Sequence, residues 1–279
     1  MTEYDFEFHI NKYKYYLSLP NKESRIYFHN EACKSHGYQI HNGLNNISIT
    51  IFNKLNVENN KLNMNNKEAM NILNYGVARR SGMLFYSFEA LFFTIPPDRK
   101  NRLSQEEEIH FNGQLNLIYL NIRGLLDNLA CVYFSEKENV DLSELHDSQK
   151  HLFNKDIINK SNNIEFWKKI LKYEDWAKNE LKMLRDPVAH KMPLYIIPAI
   201  FNNGDQDLFN KYLAEYYKHL KNGNLHGAST AMEATRTIGT FIPLFAHAPN
   251  ESYKMYPTIT KDLGNMLNIF DIVWLELNK

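Results

Sequence analysis

The segment Leu184–Lys191 reads LRDPVAHK and sets an arginine five positions before a histidine, in the frame R-x4-H. Arg185 is always charged, and its planar fork of donors matches phosphate oxygens. His190 can exchange a proton near neutral pH without special tuning. Asp186, next to the arginine, is placed either to cap a helix or to hold the imidazole in one tautomer. A phosphate-clamping cation beside a proton-transfer group is a minimal kit for cleaving RNA, because RNA carries its own nucleophile, the 2′-hydroxyl. Cleavage then needs that proton removed, the phosphorane charge neutralised and the leaving 5′-oxygen protonated. One arginine and one histidine are few for both proton transfers, and a symmetric dimer would supply a second set. The competing role is structural: Arg185 complementing the end of its helix and His190 as a hydrogen-bonded junction residue.

Other residues are secondary candidates. Lys191 can touch RNA backbone. Tyr195 can stack on a base, although its apolar PLYIIP setting also suits packing. Arg123 and Asp127 are four apart on one helix and suit an i,i+4 ion pair, or a place facing the motif. Arg79, Arg80 and Glu89 line either a phosphate path or a solvated helix face. His36 with His41, and His146 with His151, are spaced five apart without the companions of a zinc site, so no metal is expected. With no glycine-rich phosphate loop, nucleophile elbow or dinucleotide fingerprint, no cofactor is expected either.

The elements that must position these groups are mainly helices. Apolar residues recur at helical spacing over 68–94, and the IPPD that follows stops that helix. Ser104 with Glu107 forms a capping-box pattern. Leu115 to Val132 then make the widest apolar stripe, a central core helix. A shorter helix from Ser143, a longer one over 163–184, an extended segment over 192–201, helices over 207–221 and 227–246, and an amphipathic last helix over 259–277 follow. Pro187 is expected to break the 163–184 helix, with Asp186 capping the next turn. On an unbroken helix five residues rotate by about 140°, so Arg185 and His190 would diverge, whereas a break would let them converge. Residues 23–30 and 46–55 have the β-branched and aromatic density of short strands, with a loop between them carrying Gly37 and Gly43. The Asn-rich stretch after them reads as a linker. Residues 1–66 are thus an N-terminal extension, partly β or irregular, ahead of a helical domain over 67–279. The class is mostly α.

Composition sets further bounds. The 279 residues carry 32 basic and 32 acidic side chains, a formal net charge of zero. This is not the basic footprint of a protein that coats nucleic acid, so RNA activity must rest on a local or composite site. Cys33 and Cys131 stand alone, as in a protein kept reduced in the cytoplasm. The N-terminus has no signal-peptide pattern, and no apolar run approaches a membrane span, so no membrane association is expected.

Arg185, Asp186 and His190 resemble the hallmark of the HEPN superfamily, in which an arginine, commonly followed by a polar residue, precedes a histidine by four to six positions. NLIYLNIRGLLDNLACVYF at 116–134 resembles the helix that precedes the motif helix there. LRDPVAHKMPLYIIP also resembles an uncharacterised bacterial group with the signature R-D-x-x-A-H-[RK]-x-P-L-Y. FEALFFTIPP and YPTITKDLGNML match further landmarks of that group. The resemblance implies a helical bundle that often dimerises and acts as a metal-independent endoribonuclease leaving 2′,3′-cyclic phosphate ends. Arg185, His190 and Asp186 would be catalytic, with Lys191, Asp127 and Tyr195 around the substrate. It also implies a setting in toxin–antitoxin or antiviral defence systems, with RNA, a second copy, and an antitoxin or defence complex as partners. Some members bind only nucleotides or proteins, which gives the alternative of a non-catalytic subunit. Pro187 inside the motif, and aspartate where asparagine is more familiar, depart from the best-known ribonucleases.

Overall fold

The computed structural model describes residues 21–56, 64–248 and 251–279. The chain is mostly α. Helix α1 (Lys22–Asn56) is followed by α2 (Lys67–Asn71), which runs through a π-helical turn, Ile72–Val77, into α3 (Ala78–Thr94). Next come α4 (Gln105–Lys137), two 3-10 turns (Leu142–Glu144 and Asp147–Gln149), α5 (Lys155–Lys160) and α6 (Ile164–Leu171). A second π-helical turn, Trp176–Glu180, leads into α7 (Leu181–His190). After it lie β1 (Tyr195–Ile196), α8 (Asp205–Lys221), α9 (Leu225–Arg236), β2 (Leu244–Ala248), β3 (Glu251–Lys254) and α10 (Met255–Leu277). The strands form one small antiparallel sheet in the order β1-β2-β3.

The expected core helix is α4. Ser104 accepts from the Glu107 amide and Glu107 returns the bond to the Ser104 amide, so the capping box forms. Leu115, Ile118, Ile122, Leu125 and Leu129 are fully buried on it, and α3, α7 and α10 pack around it. Burying an aliphatic side chain of this size contributes about 1.5–3 kcal/mol, so this stripe anchors the bundle. Among the described residues no helix is long and apolar enough to cross a membrane.

The N-terminal strands are a correction. Residues 23–30 and 46–55, and the glycine-containing stretch between them, are one continuous helix. Its buried residues Cys33, Ile40, Leu44, Ile47 and Ile51 follow helical spacing and join the same core as α4. Tertiary packing of that stripe overrides the local β preference of NISITIF. Gly37 marks a close approach: a Cβ there would lie 2.0 Å from the Phe92 ring. Residues 1–20 and most of the Asn-rich linker fall outside the described residues.

Three smaller expectations change. The helix from Ser143 is two 3-10 turns, the 163–184 helix is interrupted between α6 and the second π turn, and the 227–246 helix ends at Arg236 before the chain enters β2. The 192–201 segment is extended as expected. It gives β1 and a bridge from Ile200 to Thr240.

Candidate functional site: the motif helix and its cleft

Helix α7 does not break at Pro187. The proline lies inside the helix, and the Lys191 amide donates to the Pro187 carbonyl at 2.9 Å. Asp186 is therefore a helix-interior residue and not an N-cap. A proline amide has no hydrogen to offer the preceding turn, but the helix persists because Leu181, Leu184 and Pro187 are buried against the core. The irregularity lies one turn upstream, in the π turn Trp176–Glu180. A π turn holds an extra residue and so resets the rotation of everything after it. Trp176 anchors this turn by donating its indole N–H to Asp262 of α10 at 2.8 Å, and the Tyr119 hydroxyl donates to the other carboxylate oxygen at 3.0 Å.

The motif residues fall as an unbroken helix dictates. Arg185 Nη1 donates to Asp186 Oδ1 at 3.1 Å, and both side chains are partly exposed. His190 follows Asp186 by four residues, one turn along the same face. It is exposed at the C-terminal end of α7. Arg185 and Asp186 line a cleft of about 540 Å³ together with Arg123, Asp127, Asp147, His151, Lys178 and Lys182, and His190 lies outside that lining. A second depression of about 490 Å³ flanks the other side of α7 and includes Lys178, Lys182, Asp186, Lys191, His247 and Glu251. Lys178, Lys182 and Asp186 border both, so they form a ridge along α7, and four-residue spacing carries that ridge on to His190. Tyr195 is 38% exposed in β1 and lines neither depression.

The Arg123–Asp127 ion pair forms on α4 at 3.1 Å and faces the motif helix across the cleft, so the two roles considered for it coincide. Asp127 Oδ1 is sealed from solvent with no hydrogen-bond partner. Burial pushes its carboxyl above the usual carboxylate range, opposed by Arg123 and, more weakly, by Arg185 and Arg80. Arg80 donates to Asn121, Arg79 sits over the Tyr75 ring, and Glu89 pairs with His41 at 3.2 Å. None of these three lines the cleft.

Sequence reasoning passed over two groups here. The spacing of His146 and His151 points only to a metal test, yet the 146–153 turn folds His151 into the cleft with Arg185. Asn112 and Asn116, one turn apart on α4, receive the chain that leaves the motif. Asn112 accepts from the Ile196 amide at 2.7 Å. Asn116 accepts from the Leu194 amide at 2.9 Å and donates to the Leu194 carbonyl at 2.8 Å. They replace the missing neighbour strand of β1 and pin the segment after His190 to α4. An asparagine pair four apart, on one face of α4, is the signal that would have found them.

No protein-family model, curated protein or solved structure matches this chain.

Proposed function

We propose that this protein is a metal-independent endoribonuclease whose working unit is a two-fold assembly, with α7 carrying the reactive groups. One observation supports it above the others: Arg185 and Asp186 are bonded to each other on the cleft side of one accessible helix, and His190 is exposed one turn beyond Asp186 at the end of that helix. Among the described residues the guanidinium's Nη2 and Nε have no acceptor, which leaves them for phosphate oxygens. Asp186 keeps one oxygen to orient the His190 ring. Within one chain Arg185 turns toward the α4 cleft while His190 stands at the helix end, so a second α7 crossing near a two-fold axis would complete the acid–base pair. The setting that follows from the resemblance is a bacterial defence or toxin-type system, with RNA as substrate, and a cytoplasmic protein.

The test is cleavage of RNA by the purified protein in EDTA, compared with His190→Ala and Arg185→Ala. Expected are 2′,3′-cyclic phosphate ends that disappear in both variants. Equal products from wild type and His190→Ala would sink the assignment.

A second reading is a non-catalytic subunit that binds a nucleotide or RNA phosphate. It is favoured by the divergence of Arg185 and His190 within one chain. It predicts nucleotide-dependent thermal stabilisation without cleavage.

A further inference from the structure

We propose that the cleft beside Arg185 is a phosphate subsite in which His151 donates its Nε2–H to a non-bridging oxygen of an RNA phosphate neighbouring the one to be cleaved. The proposal rests on the RNA reading above for its ligand. Its geometry stands on the cleft itself.

The tautomer of His151 is set by the backbone. The Phe153 amide donates to Nδ1 at 3.1 Å, so Nδ1 is an acceptor and the ring proton of the neutral imidazole is on Nε2. Among the described residues Nε2 makes no hydrogen bond, and His151 lines the cleft. Protonating Nδ1 would sacrifice the Phe153 bond, and burial, reinforced by Arg123 and Lys178 against a smaller opposing effect from Glu174, holds the ring below the ordinary histidine range. His151 is therefore a fixed donor at neutral pH and not a base. A neutral donor suits binding, because its hydrogen bond to an anion does not depend on taking up a proton.

The charges around it leave room for an anion. Each carboxylate in the cleft is engaged by its own cation: Asp127 by Arg123, Asp147 by Lys150 and Asp186 by Arg185. Among the described residues Lys182 has no such partner, and both arginines keep N–H groups unused. Donors thus exceed acceptors on one wall of a cleft wide enough for a nucleotide. A phosphodiester, with two non-bridging oxygens and one charge, matches that excess without a metal.

The probe is a short fluorescein-labelled 2′-fluoro oligoribonucleotide, which keeps the phosphates and lacks the nucleophile, followed by anisotropy with the full chain. His151→Ala is expected to weaken binding about tenfold, the loss of one hydrogen bond to a charged acceptor, and His151→Gln, whose amide nitrogen can stand near Nε2, to recover most of it. In parallel, protein carrying ¹⁵N-histidine is titrated with inorganic phosphate, and the His151 Nε2 resonance should move. Unchanged affinity in His151→Ala, or an Nε2 signal indifferent to phosphate, overturns the proposal. The two failures are separable. If His151→Ala binds normally while His190→Ala loses cleavage, the subsite falls and the ribonuclease stands. If His151→Ala binds weakly while wild type cleaves nothing, the ribonuclease falls and the phosphate site stands.

Discussion

The Trp176 indole donates to the Asp262 carboxylate across 2.8 Å and so ties the π turn that aims the motif helix to the C-terminal helix of the bundle. Asp262 is 1% exposed. Burial lifts its acid constant to about 6, against the pull of Trp176, Lys261 and Tyr119. The folded state therefore holds this proton more tightly than the unfolded chain, whose aspartate titrates near about 3.9. The stability from this group is fully present below the unfolded value and is lost as pH rises through about 6. Asp262→Asn removes that dependence, and the Tyr119 hydroxyl can turn to accept from the new amide. Wild type should lose up to about 3 kcal/mol relative to Asp262→Asn as pH rises from below the unfolded aspartate value to above about 6, read by urea denaturation at each pH. His29 and His151, whose constants are lowered by burial, act in the opposite sense, but they are common to both proteins and cancel. Asp262→Leu instead strands two buried donors and should cost about 2–4 kcal/mol relative to Asp262→Asn at any pH.

Gly37 of α1 lies against Phe92 of α3 with no space for a methyl group, its built Cβ falling 2.0 Å from the ring. The ring cannot give way easily, because it stacks on Phe88 and meets Tyr38 and Tyr256 edge-on. Gly37→Ala gains helix propensity of about 1 kcal/mol, but overpacking costs about 1–3 kcal/mol and should win. A lowered denaturation midpoint with unchanged m-value is expected. A stabilised variant would mean that α1 does not pack there.

Gly37 also shows how much of this fold was legible in the sequence. A glycine among strand-forming residues reads as a turn, and only the partner ring on α3 shows it to be a contact. The same holds for NISITIF, where Ile47 and Ile51 are four apart and buried while the residues between carry the β preference. By contrast α4 announces itself, because its stripe is long, its cap is local and both signals agree. At the site, the residue types of R-x4-H were legible, and so was the Arg123–Asp127 pair, whose spacing alone decides it. The path of the backbone through Pro187 was not, since burial of Leu184 and Pro187 outweighs a missing amide. Nor was His151, which reaches the cleft through two 3-10 turns that have no periodicity to read.

Asp186 holds Arg185 at 3.1 Å and stands one turn before His190, so its charge has two opposing effects on RNA. It lowers the attraction of the cleft for phosphate, and in the proposed mechanism it would orient the histidine. Asp186→Asn should therefore bind the 2′-fluoro probe about two- to fivefold more tightly. It should also cleave RNA at least about tenfold more slowly in single turnover. The two parameters moving in opposite directions distinguish an orienting carboxylate from a structural ion pair, whose loss would weaken both. A rate equal to wild type would remove Asp186 from the catalytic group.

Lys182 and Lys191 lie on opposite reaches of α7, the first shared by both depressions and the second confined to the one beside β2 and β3. If a strand of RNA passes from the cleft over the Lys178–Lys182–Asp186 ridge toward His190, each lysine meets a phosphate and releases counterions on binding. The logarithm of affinity should fall with the logarithm of salt by about 0.7 for each phosphate neutralised on a single strand. Lys182→Ala and Lys191→Ala should each reduce that slope by about 0.7 and weaken all sequences alike. The double variant should reduce it by the sum, because the two sites are separated along the helix and share no partner. Anisotropy over a range of potassium chloride concentrations measures this directly. A slope altered by Lys182→Ala but not by Lys191→Ala would confine the ligand to the α4 cleft and favour a nucleotide over a polymer.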